Sequence, residues 1–195
     1  MITDYLPLNE YSRLFPYLSY DNYLCLRVSL ETGLRIGDVV ALRTAALCGN
    51  KITYIAQKTG KYGTAIISKE LAEKLHRVAG NVYIFESNSS KNGHRTRQTV
   101  WKDVKKAAKI AGIDRNIAPH SARKTYAVQT FKNKGFAAAK RELQHDDPAT
   151  TMLYVFSGVM SDTKETAEKA IRSDELEQLA DYIAEKVYQR IKGEL

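Results

Sequence analysis

The residues of this sequence that are best suited to chemistry lie in five short segments, and the first contains an arginine. In Thr32–Asp38, a helix break at Gly33 is followed by Arg35 and then by Asp38. An arginine at a helix start projects a guanidinium that can bind an oxyanion in bidentate fashion, and an acid one turn later can orient it. The alternative is a surface ion pair at i,i+3 spacing, and the segment taken alone favours that alternative.

The second segment, Gln57–Lys61, has the glycine and polar residues typical of a hairpin turn and contains Lys58. A lysine in a turn is mobile and can reach a ligand as a proton donor or as a point charge. Most lysines in exposed turns only add solubility. The segment alone therefore indicates a solubilising lysine.

The third segment, Pro119–Arg123, places His120 three residues before Arg123. This spacing brings an imidazole and a guanidinium to one face of a helix in its first turn, where the helix dipole favours an anion. A chance His-x-x-Arg is common, but one that follows a proline at a helix start within a basic region is less so. The segment is a candidate anion site.

The last two segments contain His145, which follows Gln144, and Tyr154 at the end of Thr150–Tyr154. The chain has 12 tyrosines, so a single tyrosine is weak grounds for a function. His145 and the two acids after it do not form a metal site, because consecutive residues do not converge on a helix and no distant His/Cys cluster completes them. We expect no metal and no cofactor.

The elements that must position these residues are predicted to be helices around a small sheet. Asn9 is a candidate N-cap for the first helix, and an apolar stripe near the C-terminus indicates an amphipathic last helix. The stripe consists of Leu176, Leu179, Ile183, Val187 and Ile191. The other predicted helices are Asp21–Thr32, Arg35–Leu42, Ser68–Val78 closed by Gly80, Thr96–Ala111 ended by Gly112, Ser121–Lys134, Phe136–Leu143 and Pro148–Phe156. The predicted strands, antiparallel and joined by the hairpin turn, are Arg43–Cys48, Lys51–Ala56 and Gly63–Ile67.

Positive charge is concentrated in one part of the chain. The whole sequence has a formal net charge of +8, but Lys91–Arg141 contains 14 lysines and arginines against Asp103 and Asp114, a net of +12. A basic region in an otherwise slightly acidic protein is typical of a face that binds a polyanion. The alternative, a solvated helix surface, is weakened because the same region contains His120 and Arg123.

Composition excludes several classes of protein. With 195 residues, 44% hydrophobic and 27% charged, the chain is neither disordered nor a collagen nor a coiled-coil rod. Two cysteines are too few for a disulfide scaffold, so a reducing compartment is expected. No apolar run approaches the roughly 20 residues of a membrane span, and no signal peptide is visible. We expect a cytoplasmic protein.

Taken together and in this order, the five segments resemble the catalytic domain of the tyrosine recombinases, the phage integrase family. The signature of that family is Thr-Gly-Leu-Arg with an acid three residues later, a lysine in a β-hairpin, His-x-x-Arg, Leu-Gly-His and Thr-x-x-Tyr. Thr96–Trp101 is also similar to the helix that precedes His-x-x-Arg in the family. The matching residues of this chain, between about Pro7 and Phe156, are Arg35, Lys58, His120, Arg123, His145 and Tyr154, with Asp38 at the acid position.

The chain departs from the family pattern at three points. Gln144 stands where glycine is usual and Lys124 where histidine is frequent, which affects the fit of the substrate rather than the chemistry. Few residues precede the first helix, so the N-terminal helical domain of the family is not expected. We expect a catalytic domain over residues 1–172 and a C-terminal helix over residues 173–195, which covers its own core or docks on a neighbouring protomer.

The resemblance implies an α+β fold, mostly α-helical with a small three-stranded antiparallel sheet, and a site-specific recombinase that acts on double-stranded DNA as a homo-oligomer, a tetramer. It implies that Tyr154 attacks the phosphate without metal or ATP and forms a 3′-phosphotyrosine. The two arginines would then bind the phosphate, with Lys58 as the acid for the leaving oxygen and Asp38 holding Arg35. His120 is a candidate base or phosphate donor, and His145 a second donor. Contacts to the DNA backbone are assigned to Arg95, Arg97, Lys102, Lys105, Lys106 and Lys124.

Two other functions share this resemblance. A type IB topoisomerase uses the same chemistry for simple relaxation, and a DNA-binding regulator can keep the fold without the activity. The presence of all six chemical groups argues against the regulator.

Overall fold

The computed structural model describes residues 3–87, 89, 93–143 and 154–155. The chain divides into two compact units, residues 1–126 and residues 127–195. The predictions for His145, for most of the helix over Pro148–Phe156 and for the C-terminal helix lie outside the described residues. The described helices are α1 (Tyr11–Leu14), α2 (Tyr20–Thr32), α3 (Ile36–Val40), α4 (Lys69–Val78), α5 (Arg97–Ile110) and α6 (Pro119–Leu143), and the strands are β1 (Leu47–Cys48), β2 (Lys51–Ile55) and β3 (Tyr62–Ile66).

Helix α2 is the element around which the first unit packs. It contacts α3, α4, α5 and β3. Successive residues such as Leu24, Cys25 and Leu26 are fully buried, so the helix has neighbours on several sides. It ends at Gly33, whose φ of 69° is the left-handed conformation that glycine adopts without steric cost. The predicted helix and its end at Gly33 are confirmed.

The sheet is antiparallel with the order β1–β2–β3, as predicted. Ile52 of β2 pairs with Ala65 and is fully buried, whereas the pair Ile55 and Tyr62, three positions further along the strand, is exposed. One face of the hairpin therefore joins the core and the other faces solvent. The first strand is shorter than predicted, because residues 44–46 form a 3-10 turn instead.

The carboxylate of Asp103 joins helix α5 to the start of α2. Asp103 Oδ2 accepts hydrogen bonds from the backbone N of Ser19 at 3.0 Å, from its Oγ at 3.0 Å and from Asn22 Nδ2 at 2.6 Å. Ser19 is the N-cap of α2, so the carboxylate binds at the positive end of that helix. The remaining charged residues of α5 are all basic: Arg97, Lys102, Lys105, Lys106 and Lys109.

Most predicted helix ends are confirmed, with side-chain caps where they were expected. Ser68 Oγ accepts from Leu71 N at 3.3 Å at the start of α4, and Thr96 Oγ1 accepts from Thr99 N at 3.1 Å at the start of α5. Gly112, just after α5, has a φ of 63°. Serine and threonine at these positions satisfy amide groups that the helix itself leaves unbonded.

Two predicted helix ends are wrong. Asn9 is not an N-cap, because it lies inside a 3-10 turn and its carbonyl accepts a hydrogen bond from Ser12 Oγ at 2.8 Å. Gly80 does not end α4 in the left-handed conformation; the C-cap is Ala79. A Cβ at position 80 would lie 2.2 Å from the Glu86 Cδ atom, so a larger residue there would displace the Glu86 carboxylate, which accepts a hydrogen bond from Val82 N.

Helix α6 begins in the first unit and ends in the second. It is interrupted at Gly135, whose φ of 79° and ψ of 177° are not helical. The sequence predicts two helices on either side of this glycine, and the interruption confirms the division. In the second unit Phe131, Ala139 and Val155 form a small buried cluster.

Candidate active site

The first part of the site is the turn that leads into α3, residues 32–35, which we call the arginine turn. Ser29 Oγ donates to the Leu34 carbonyl at 2.8 Å, and Leu34 N donates to Thr32 Oγ1 at 3.2 Å. Arg35 follows with an extended backbone (φ −66°, ψ 142°) and is the N-cap residue of α3. Residues of α2 therefore hold the turn by hydrogen bonds. These bonds fix the backbone from which the partly exposed Arg35 side chain extends.

Arg123 is attached to this same turn. Its side chain is almost fully buried, at 3% exposure, and its Nη1 donates a hydrogen bond to the Gly33 carbonyl. Gly33 is two residues before Arg35, so one hydrogen bond places the start of α6 beside the start of α3. The sequence identifies both arginines. Gly33 and Arg123 are 90 positions apart, so the spacing does not predict the hydrogen bond between them.

His120 lies at the surface in the first turn of α6 and adjoins both arginines. The protein atoms around its ring remove part of its solvent, and the positive charges of Arg123, Lys124 and Arg35 add to this effect, so the pKa of His120 falls to about 4. Desolvation and nearby like charge both disfavour the protonated ring. The imidazole is therefore neutral at neutral pH. One of its ring nitrogens carries no proton and can act as a proton acceptor.

Asp38 holds the hairpin, not Arg35 as expected from the sequence. The carboxylate is buried, and its Oδ1 accepts a hydrogen bond from the backbone N of Gln57 at 3.0 Å. Gln57 Nε2 also approaches the Gly37 carbonyl at 3.5 Å. Within the described part of the chain, no ion pair joins Asp38 to Arg35. The physical reason is that the buried carboxylate meets an otherwise unbonded amide at the end of β2.

Lys58 comes next after Gln57 and lies in the exposed turn between β2 and β3. Ala56 N donates to the Lys61 carbonyl at 2.9 Å and Gly60 N donates to the Ala56 carbonyl at 2.7 Å, which close the turn. Gly60 has a φ of 68°, a conformation that favours glycine. The Asp38–Gln57 hydrogen bond therefore ties the lysine turn to the helix that Arg35 begins.

Sequence reasoning missed Tyr54, a half-buried residue of β2. Burial raises the pKa of its phenol, with opposing effects from the positive charge of Arg123 and the negative charge of Asp38. The phenol therefore shares the electrostatic surroundings of the arginine turn and of the hairpin. Nothing in the spacing of the sequence distinguishes Tyr54 from the other tyrosines.

The structure brings Arg35, His120 and Arg123 to one part of the first unit. The hydrogen bond from Gln57 N to Asp38 joins the turn that contains Lys58 to α3. Tyr154 belongs to the second unit and is half-buried. Its backbone and that of the buried Val155 are helical. His145 lies outside the described residues.

Three of the six cations assigned to DNA are bonded within the protein. Arg95 forms an ion pair with Asp21, and Lys105 Nζ donates to Asn116 Oδ1. Lys124 is buried, its Nζ donates to the Thr3 carbonyl, and burial lowers its pKa. Its ammonium is unsuited to a backbone phosphate, because the group is used to hold the N-terminal segment. The exposed cations of the assigned set are Arg97, Lys102 and Lys106.

Neither a metal cluster nor a membrane-spanning helix is found in the described part of the chain. No group of three or more His, Cys, Asp or Glu residues there is arranged to hold a metal ion. None of its helices is long and apolar enough to cross a membrane.

The comparisons with known proteins agree with one another. The model of the Phage integrase family matches residues 4–158. Tyrosine recombinase XerD of Lacticaseibacillus casei is 29% identical over 139 residues, 63% of this chain and 46% of the relative, so the chain spans about half the length of that relative.

Two solved structures share the fold. A lambda integrase dimer bound to a COC′ core site has a TM-score of 0.67 and 19% identity over 80% of this chain and 49% of that one. XerA recombinase has a TM-score of 0.66 and 22% identity over 93% of this chain and 65% of that one.

Removing the Asp38 carboxylate should free the hairpin. In Asp38→Ala the Gln57 amide loses its acceptor, which costs about 1–3 kcal/mol for a buried group, so we expect its hydrogen exchange to accelerate at least about fivefold. Asp38→Asn keeps a carbonyl oxygen at the same place and should exchange nearly as slowly as the parent. Unchanged exchange at Gln57 in Asp38→Ala would show that the contact does not hold the turn.

His120 should remain neutral under mildly acidic conditions. At pH 6 an ordinary histidine is more than half protonated, whereas a ring with a pKa of about 4 is almost entirely neutral. We expect the His120 ring proton, assigned by its loss in His120→Gln, to keep its neutral chemical shift from pH 8 to pH 5.5 in an NMR titration. A midpoint at 6.5 or above would contradict the electrostatic account of the site.

Proposed function

The chain belongs to the phage integrase family, and on that premise we propose that it is a tyrosine recombinase that cleaves and rejoins double-stranded DNA at specific sites. The observation that supports this most strongly is the hydrogen bond from Arg123 to the Gly33 carbonyl. It joins the Arg123 guanidinium to the turn that leads into Arg35, and the charges of both arginines act on the neutral His120. A phosphodiester has two non-bridging oxygens, and two guanidinium groups with one hydrogen-bonding imidazole are a suitable receptor for them.

The proposed reaction begins when the Tyr154 hydroxyl oxygen attacks phosphorus. The bond from phosphorus to the 5′ oxygen breaks, and the products are a 3′-phosphotyrosine and a strand with a free 5′-hydroxyl. Attack by a 5′-hydroxyl from another strand reverses the step and restores a phosphodiester. Because the number of phosphoester bonds does not change, the cycle needs no ATP.

Each proton in this reaction has a proposed donor or acceptor. His120 accepts the proton of the Tyr154 hydroxyl, for which a neutral imidazole is required. Lys58 donates a proton to the departing 5′ oxygen, and its exposed position in the turn lets the ammonium reach a bound strand. His145 is proposed as a further donor to the phosphate.

Arg35 and Arg123 stabilise the charge that develops on the non-bridging oxygens. Removal of one such donor in other enzymes costs about 10²–10³ in rate. The Asp38–Gln57 hydrogen bond positions Lys58 relative to the arginines, so Asp38 is a positioning residue.

The protein partners in this proposal are other copies of the chain. The lambda integrase structure is a dimer bound to a core site, and strand exchange joins two sites, so we propose that four protomers act together. We also propose that residues 1–172 form the catalytic domain and that the helix over residues 173–195 contacts either its own domain or a neighbouring protomer. Of the assigned cations, Arg97, Lys102 and Lys106 are the ones exposed for contact with DNA phosphates.

The proposed nucleophile is tested by trapping the covalent intermediate. We expect the protein, incubated with nicked duplexes of randomised core sequence in the presence of EDTA, to form an adduct that survives a denaturing gel. Tyr154→Phe should lose the adduct and keep its affinity for DNA, because only one oxygen is removed. Tyr17→Phe, at a tyrosine that is 47% exposed, is the matched control and should form the adduct at the parent level.

Other results would contradict the proposal at identifiable points. An adduct that persists in Tyr154→Phe would exclude Tyr154 as nucleophile. An adduct that forms only with Mg²⁺ would indicate another chemistry. DNA binding without any adduct from the parent protein would favour a regulator that keeps the fold and lacks the activity.

A further inference from the structure

An open cleft of about 460 Å³ lies beside the candidate active site. Its volume is within the roughly 300–1,000 Å³ that is usual for ligand sites. The walls come from the N-terminal segment, the start of α3, the start of α6 and the first turns of α5. The residues that matter for its chemistry are Ile36, Arg97, Trp101, Lys102 and His120.

The aromatic wall of this cleft is the only tryptophan of the chain. Trp101 is 49% exposed, which is unusual for so large an apolar side chain on a helix that has a buried face of its own. Lys105 Nζ lies 5.9 Å from the centre of the indole ring, and Lys105 is not among the residues that line the cleft. The indole therefore borders the cleft and has a lysine ammonium within 6 Å of its ring centre.

The rim of the cleft is basic. Arg97 and Lys102 are both exposed and line the cleft together with Trp101. Arg97 precedes Trp101 by four residues, so these two side chains are neighbours on the helix. Every other charged residue of α5 is also basic except Asp103, whose carboxylate is bonded to the start of α2. An aromatic surface with cations at its edge is complementary to a ligand that has a flat ring and an attached anion.

The walls are also fixed in place. The Thr3 carbonyl accepts a hydrogen bond from the buried Lys124 ammonium. Asp4 N donates to the Asn116 carbonyl at 3.0 Å, and Asn116 N donates to the Asp4 carboxylate at 2.7 Å. The floor beside His120 consists of the buried residues Ala118 and Pro119. The cleft is thus preformed, and His120 places it next to the proposed phosphate site.

We propose that this cleft binds one unpaired nucleobase of the DNA, stacked on the indole of Trp101, with its phosphate at Arg97 and Lys102. This inference rests on the proposed function, because strand exchange requires bases beside the cut to leave their own duplex. A paired base presents only its edge, whereas an unpaired base presents a whole ring face to an aromatic side chain. The cleft would hold the released strand close to the phosphate site until it is rejoined.

The single tryptophan makes the proposal directly measurable. Fluorescence of Trp101, excited at a wavelength that thymine does not absorb, should be strongly quenched by a thymidine 20-mer. An abasic 20-mer with the same number of phosphates should quench it much less at equal occupancy. Equal quenching by the two strands would overturn the proposal, because phosphate binding alone would then explain the signal.

Variants separate stacking from charge and from misfolding. Trp101→Ala should weaken binding of a dye-labelled thymidine 20-mer by about 5- to 100-fold, the range measured when one stacked aromatic is replaced. Trp101→Phe keeps an aromatic ring and should lose no more than a few-fold. Ile110→Ala, at a 51% exposed apolar residue of the same helix, is the matched control and should bind as the parent does.

The outcomes distinguish this inference from the proposed function. If Trp101→Ala and Ile110→Ala bind the 20-mer equally while the parent still forms the covalent adduct, the base site is wrong and the recombinase stands. If the parent binds neither the 20-mer nor duplex DNA and forms no adduct, both proposals fail. Selective loss of 20-mer binding in Trp101→Ala, with adduct formation on a nicked duplex retained, supports the base site.

Discussion

The two guanidinium groups of this site repel each other, so the protein must hold them before any anion arrives. The hydrogen bond from Arg123 to the Gly33 carbonyl meets that constraint. A backbone carbonyl offers partial negative charge without a competing carboxylate, which would neutralise the arginine and occupy the anion's place. Ser29 and Thr32 fix the turn from the α2 side. The proposed phosphate receptor is therefore organised in advance, which is the condition under which charged groups stabilise a transition state most strongly.

The same arrangement explains the other electrostatic features of the first unit. Loss of solvent around the His120 ring, together with the positive charges of Arg123, Lys124 and Arg35, lowers its pKa, so a neutral imidazole lies among fixed cations. The nearby carboxylates accept hydrogen bonds from the protein itself. Asp38 binds a backbone amide, and Asp103 binds the start of α2. With those carboxylates occupied, the exposed surface around the arginine turn and α5 keeps its positive charge. That charge can serve DNA as a long-range attraction as well as a local contact.

Local rules predicted most of the fold, with errors at Asn9, Gly80 and the first strand, and they did not show the side-chain roles in which a distant residue takes part. The end of α2 at Gly33, the caps Ser68 and Thr96, the hairpin and the break at Gly135 follow from neighbours a few residues apart, so the sequence shows them. The partners of Asp38, Arg95 and Lys124 are 19, 74 and 121 residues away, and their roles could not be read from spacing. The candidate site was found because its residue types recur in a fixed order. The bonds that assemble it, and the cleft at Trp101, follow only from packing.

The most direct test of the central claim is to remove the phosphate charge that the arginines are proposed to neutralise. Single-turnover cleavage would be measured for the parent and for Arg35→Ala, chosen because Arg35 is half-exposed whereas Arg123 is buried. The substrate is the strand recovered from the adduct, with either a phosphodiester or a neutral methylphosphonate at the cut. We expect Arg35→Ala to lose about 10²–10³ in rate on the phosphodiester and much less on the methylphosphonate. An equal loss on both substrates would show that Arg35 does not act by charge neutralisation and would contradict the account.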